Sequence, residues 1–256
     1  MKNRHIRLSI LLLGLSLLFQ DGALNAQSVS LPKKFDVYLL IGQSNMAGRG
    51  ELLEEDLQPA EGIFLLDSLG NVVPATCPIN RYSTIRKELS LQGYSPGMAF
   101  AKEMYKKNGR PILLVVNARG GTAISLWMEG THYYDEAVRR ARQAMEYGKL
   151  KAILWHQGES DAADNNIATL PRYADNFKSV AKALRRDLGR VRIVMGEANY
   201  DYAKADLINP ELHRAAGMVR RCKIVSAEGC ECKPDHLHFS RAGAMELGRR
   251  YAEALR

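Results

Sequence analysis

Five short runs of almost unbroken apolar residues, separated by stretches of helical periodicity, restrict what this chain can fold into more than any other feature. The runs are residues 35–41 (FDVYLLI), 111–117 (PILLVVN), 150–155 (LKAILW), 191–196 (VRIVMG) and 222–226 (CKIVS). A strand with one wet face alternates apolar and polar residues; these do not, so both faces must be buried, as in a parallel sheet covered on each side. Between them, residues 96–107, 133–147, 170–188 and 210–220 place apolar side chains at helical spacing with charge on the outer face. Ser240 is positioned to cap a last helix running to Leu255. Residues 63–67 and 71–74, joined around Leu69-Gly70, read as a small hairpin inserted after the first unit. The pattern predicts an α/β fold: a three-layer α/β/α sandwich around a central, mainly parallel, five-stranded doubly wound sheet.

The N-terminal segment carries a different signal. Lys2, Arg4 and Arg7 precede an apolar run over residues 8–19, and Ala23-Leu24-Asn25-Ala26 offers small residues for cleavage before Gln27. A run of twelve residues, apolar apart from small Ser and Gly, falls short of the roughly 20 that span a bilayer. Residues 1–26 are therefore expected to be a secretory signal peptide and 27–256 the exported domain, periplasmic or extracellular and without a membrane partner once cleaved. The formal charge is +8, but removing residues 1–26 takes away three basic residues and Asp21. The remaining Lys and Arg are spread along helical faces without a run dense enough for a nucleic-acid groove. Export permits disulfides. Cys77, Cys222, Cys230 and Cys232 allow three pairings, of which Cys222 with Cys230 or Cys232 closes a short loop. The order of expectation is a disulfide, then free buried thiols, then a metal site, because C-x-C-x3-H-x-H is not a usual zinc spacing.

In an open doubly wound sheet, ligands bind beyond the carboxyl ends of the strands, so the residues following strands should carry chemistry. After the first strand stands Gly42-Gln43-Ser44-Asn45-Met46-Ala47-Gly48. A Ser in a tight turn here is exposed and lies beside free backbone amides that can steady a developing anion; the same Ser could be no more than a helix cap. After the second comes Asn117-Ala118-Arg119-Gly120-Gly121-Thr122, where glycine lets a backbone N–H approach a ligand closely. After the third comes Trp155-His156-Gln157-Gly158-Glu159-Ser160-Asp161, more polar groups than a cap requires: the amide can donate to an oxyanion and a carboxylate can orient a base. Beyond the fifth lies Asp235-His236-Leu237-His238-Phe239-Ser240. An Asp three residues before a His can accept from its Nδ1–H and leave Nε2 free to take a proton. This selects His238, with His236 left as a wall or surface residue.

Together these blocks resemble those of the SGNH hydrolases, and more narrowly the branch holding sialate O-acetylesterases and the family six carbohydrate esterases (acetylxylan esterases). The resemblance rests on G-Q-S-N-M-A-G, R-G-G-T, W-H-Q-G-E-S-D and D-x-x-H-F-S and covers about residues 35 to 255. It implies a flavodoxin-like sheet, Ser44 as nucleophile and His238 as base and later acid. It also implies an oxyanion hole made of the Ser44 N–H, the Gly120 N–H and the Gln157 side-chain amide. Asp235 is the favoured third member of the triad, with Glu159 its rival. Asn45, Arg119, Gly121 and His156 are candidates for the sugar pocket, with Trp127 either there or in the core. The implied activity is hydrolysis of acetyl esters on an acetylated oligo- or polysaccharide through an acetyl-enzyme, with no metal or organic cofactor. The alternatives are a non-catalytic glycan-binding module on an esterase scaffold and an acetyl transferase. Which glycan is taken depends on loops such as 49–95 that periodicity cannot shape, and oligomeric state is not legible.

Overall fold

Every apolar run becomes a strand of one central sheet in the computed structural model, which describes residue 32 and residues 34–255. The expected signal peptide lies outside the described residues. Those described fall in one compact unit, Pro32–Arg256, and no helix among them is long and apolar enough to cross a membrane.

The strands are β1 (Phe35–Gly42), β2 (Ile63–Leu66), β3 (Val72–Pro74), β4 (Ile112–Ala118), β5 (Gly148–His156), β6 (Arg192–Gly196) and β7 (Cys222–Val225). Their spatial order is β3-β2-β4-β1-β5-β6-β7. All pairings are parallel except β2–β3. The sheet thus has seven strands, not the five expected. The hairpin at 63–74 is no insertion: Ile63 pairs with Ile112 and Leu65 with Leu114, so β2 extends the sheet in parallel while β3 turns back along its edge. Four apolar residues, Ile-Phe-Leu-Leu, all buried, are enough to make β2 a sheet member.

Helices cover both faces. α1 (Ser44–Ala47), α2 (Pro96–Asn108) and α6 (Arg241–Ala254) lie on one side; α3 (His132–Met145), α4 (Tyr173–Leu188) and α5 (Ala205–Gly217) lie on the other. β1 shows how the core divides: Val37, Leu39 and Ile41 enter the α3–α5 side, and Tyr38 and Leu40 the α2–α6 side. Ser95 caps α2 by accepting from the Gly97 N–H, with Pro96 at the first helical position where no donor is missed. Ser240 caps α6 by accepting from the Gly243 N–H at 3.1 Å, as expected. α4 starts at Tyr173, later than the pattern suggests, because Pro171 confines the preceding residues to a 3-10 turn. α5 starts earlier, at Ala205, and carries Pro210 inside it.

The four cysteines are free, which corrects the expected disulfide. The sheet itself separates them: Cys222 packs against the core on the α3–α5 side, whereas Cys77 and Cys230 are buried in the other. Cys232 turns its thiol to the His238 carbonyl at 3.3 Å.

Chain direction places the site. After β1 the chain builds the β4 side of the sheet, then crosses β1 to build β5, β6 and β7 on the other. The carboxyl ends of β1, β4 and β5 therefore flank the point where the winding reverses, the place where such sheets open a crevice.

Candidate active site

Ser44 sits immediately past β1, and the chain can turn there because of Gly42. That residue has φ near 141°, and a Cβ on it would stand 2.0 Å from the His156 carbonyl oxygen of the neighbouring strand, so only glycine fits. Ser44 begins the four-residue α1, and its N–H has no preceding helical carbonyl to bond. From β4, Gly120 reaches the same place. A Cβ added to it would lie 3.3 Å from Ser44 Cβ and 2.9 Å from an Arg49 guanidinium nitrogen. The Gly120 N–H has no acceptor among the described residues.

The third component arrives on the segment before α6. Residues 231–240 fold back on themselves: Lys233 N–H donates to the His238 carbonyl and Ser240 N–H to that of Glu231. His236 at the tip takes a left-handed conformation with φ of 53°. His238 Nε2 lies 2.9 Å from Ser44 Oγ, and His238 Nδ1 lies 2.9 Å from Asp235 Oδ2. The Nδ1–H donates to the carboxylate, leaving Nε2 to accept from the Ser44 hydroxyl. Asp235 Oδ1 also accepts from the Leu237 and His238 backbone N–H groups. Burial works to raise the Asp235 pKa, but these hydrogen bonds and the His238 ring outweigh it and hold it down at about 2. The carboxylate is thus charged at neutral pH.

Glu159 is only 3% exposed and makes no bond to the imidazole of His238. Its Oε1 accepts from Asn45 Nδ2 at 2.7 Å. Asn45, 2% exposed, also donates to the Leu237 carbonyl at 3.2 Å and accepts from the Phe239 N–H at 3.1 Å. The residue after the serine therefore clamps the backbone on both sides of His238, and Glu159 anchors the clamp. The expectation that Asn45 lies on the substrate side is corrected: its amide is spent on this internal network.

Other expectations are also corrected. Gln157 Nε2 donates to the Thr122 carbonyl at 2.9 Å and to Asp161 at 2.5 Å. An amide has two hydrogens, and neither remains for an oxyanion. Gln157 instead ties the end of β5 to the Gly120–Thr122 turn. His156 is 1% exposed and pairs through Nδ1 with the Tyr251 hydroxyl at 3.0 Å. Burial lowers its pKa against the pull of Glu159, so it is a neutral support beneath the site. Trp127 is 1% exposed, donates to Thr122 Oγ1 and packs edge-on against Trp155, which makes it core. Arg119 points away, its guanidinium held by the Ile85 and Arg86 carbonyls and lying over the Tyr133 ring.

A cavity of about 290 Å³ opens over Ser44 and His238, lined also by Gln43, Arg49, Lys87, Gly120, Gly121, Glu159 and Tyr202. Clefts of about 660 and 610 Å³ lie at the amino ends of the strands, against residues such as Lys34, Arg110, Lys149 and Arg190. They contain no serine, histidine or free amide arrangement, so size does not mark the site here. Arg49, Lys87 and Tyr202 are not singled out by the sequence reading. Arg49 directly follows the Ser44 block, which is the available signal; Lys87 and Tyr202 sit in irregular segments that offer none. Among the described residues, no group of three or more His, Cys, Asp or Glu side chains converges to hold a metal ion.

A serine hydrogen-bonded to an imidazole that is itself oriented by a carboxylate, at the carboxyl ends of a doubly wound sheet, is the arrangement of an SGNH-type hydrolase. Residues 34–256 match the family model described as carbohydrate esterase, sialic acid-specific acetylesterase, and the chain belongs to that family. It is 30% identical over 246 residues to an Arabidopsis thaliana protein called "Probable carbohydrate esterase", covering 85% of this chain and 89% of the relative. The crystal structure of the Arabidopsis protein superposes with a TM-score of 0.78 at 29% identity, over 87% of this chain and 98% of that one. A carbohydrate acetylesterase from Xanthomonas citri shares the fold with a TM-score of 0.61 at 17% identity, over 86% of this chain and 55% of that one. Family membership makes the protein a carbohydrate esterase and implies an acetylated carbohydrate as its substrate.

Proposed function

We propose that the protein removes O-acetyl groups from sugars by a serine mechanism. The observation that carries this reading is the unbroken relay from Asp235 through His238 to Ser44, with 2.9 Å at each step. Ser44 Oγ attacks the acetyl carbonyl carbon as its proton passes to His238 Nε2. The carbonyl oxygen becomes an oxyanion and is met by the Ser44 and Gly120 N–H groups. The tetrahedral adduct collapses, the C–O bond to the sugar breaks, and His238 returns the proton to the leaving sugar oxygen. A water then gives its proton to His238 and attacks the acetyl-enzyme. Acetate departs and Ser44 recovers its proton. Asp235 stays ionised throughout and fixes the tautomer and orientation of the ring.

The basic and apolar character of residues 1–26 supports export of the enzyme, and mass measurement of its secreted N-terminus tests that part. The mechanism is tested by Ser44→Ala. Acetate release from an O-acetylated sugar should fall to background while the circular dichroism spectrum and melting temperature stay those of the parent. Retention of the parental rate would end the assignment.

A further inference from the structure

A basic groove of about 580 Å³ lies at the other end of the sheet from Ser44, before the amino ends of β6 and β7. α4 lends it Lys178, Lys182, Arg185 and Arg186; the turn into β6 lends Arg190, and the connection from α5 to β7 lends Arg220 and Arg221. Val191, Met218 and Val219 complete the lining, and no carboxylate belongs to it. Arg186 pairs with Glu129 and Asp187; the other six cations take part in no ion pair among the described residues. Arg185 donates from Nε to the Val191 carbonyl at 3.1 Å, while its Nη2 is buried without a partner. Burial lowers the Arg185 pKa; Cys222 pulls it up and the Arg221 charge pushes it down further. Arg221 itself holds a left-handed backbone with φ of 58°, so a charged side chain stands where glycine would fit with less strain. Helix dipoles do not account for this charge. α4 and α5 both end here, but each end carries only about −0.5 of a unit charge, so together they offset about one of the six cations. The basic surface also continues past the groove. Arg190 lines both larger clefts at this end of the sheet, and Arg221 one of them. Two acids stand in those clefts: Asp36, already paired with Arg110 and Lys151, and Glu146, which Lys34, Lys149 and Arg192 outnumber.

The lining selects among anionic ligands. No aromatic ring stands in the groove to stack a base, and a concave site takes a chain, not the flat surface of a bilayer. Val191, Met218 and Val219 give the C–H faces of sugar rings an apolar floor. One carboxylate per ring would leave most of the six cations unmet over so short a length, whereas sulfate or phosphate esters sit several to a ring. We propose that this groove binds a glycan chain bearing sulfate or phosphate esters and holds the enzyme to that polymer from the face opposite Ser44. The site goes beyond the hydrolytic reading: it touches no reacting group, and its ligand is held whether or not it carries acetyl.

Isothermal titration of the purified protein at low salt tests this. Heparin oligosaccharides supply sulfate esters and phosphorylated mannan oligosaccharides supply phosphate. Oligogalacturonates of the same length, with one carboxylate per ring, duplex DNA and vesicles of anionic phospholipid are the rivals. At least one of the two ester-bearing glycans should bind on the order of tenfold more tightly than any rival, and its binding should weaken as salt rises. Lys182→Gln and Arg221→Gly should each raise that Kd by about threefold, as expected for an exposed ion pair, and together by roughly tenfold. Arg139→Gln combined with Arg249→Gln removes the same charge from helices outside the groove and should leave Kd within about twofold of the parent. All these variants should keep the parental rate on a chromogenic acetate, and melting temperatures confirm that they fold. Glycine adopts the backbone of residue 221 freely, so Arg221→Gly remains informative if Lys182→Gln does not fold. Ser44→Ala should bind the glycan as the parent does, which separates this result from the test of the hydrolytic reading. Equal weakening by the groove pair and the distant pair would reduce the effect to net charge and overturn the proposal. So would failure of both ester-bearing glycans to bind, or binding of any rival as tight as theirs.

Discussion

At the scale of single residues, the two acids that compete for the imidazole in the sequence prove to have separate work. Asp235 bonds the ring; Glu159 bonds Asn45, which grips the backbone at Leu237 and Phe239. Their substitutions should therefore differ in kind. Asp235→Asn offers Nδ1 an amide of the wrong polarity and should lower kcat by a factor on the order of 10⁴, the size seen when a triad carboxylate is neutralised elsewhere. Glu159→Gln still presents an oxygen to Asn45 and should keep activity within about tenfold of the parent. Steady-state rates of the two variants on one acetyl ester decide between them; equal losses would contradict the division of roles. Spacing makes Asp235 and His238 legible, since an i, i+3 pair is local. Asn45 and Gln157 are misjudged from sequence because a side-chain amide has no preferred direction there. Glu159, at 114 residues' remove from Asn45, and Thr122, at 35 from Gln157, meet them only in space, although Asp161, the second partner of Gln157, is local.

At the scale of elements, the segment bearing His238 is held in place by a pair of helices. α6 starts at Arg241, just past that segment, and packs along α2, so the position of the imidazole depends on that pair. The two helices come close at Gly248, where an added Cβ would stand 2.4 Å from the Pro96 carbonyl oxygen and 2.6 Å from Ala99 Cβ. Gly248→Ala should force α6 away and destabilise the fold by about 1–3 kcal/mol, the usual cost of overpacking, read as a lower urea midpoint. The strands and long helices are legible because apolar periodicity is a local record of what will be buried. The role of β2 is not, because an apolar tetrapeptide reads alike in a free hairpin and beside β4. The cysteine expectation fails for the same reason: short separation along the chain says nothing of a sheet standing between two thiols.

At the scale of the whole molecule, stability and catalysis share one buried network behind the site. Asp161 is 2% exposed and accepts from Gln157 and from the Ile124 N–H. Burial nevertheless pushes its pKa up to about 6 from 3.8, with Glu159 adding to the rise and those hydrogen bonds opposing it. The folded state thus holds this proton more tightly than the unfolded chain. Its contribution to stability is complete below about pH 4 and is lost as pH rises through about 6, by at most about 3 kcal/mol. Asp161→Asn, which cannot ionise, should flatten that part of the profile when unfolding by urea is measured from pH 4 to pH 7. An unchanged profile would show that Asp161 does not titrate there. The three-layer architecture and the four polar blocks at strand ends can be read from the chain unaided, because burial on both sheet faces and the order of strands and helices are written in local pattern. Folding alone settles which polar group faces the cavity and which is spent holding the scaffold. That choice is made by hydrogen-bond partners and by cations such as Arg49 and Lys87 that distant segments bring to one small space, and no local pattern encodes it.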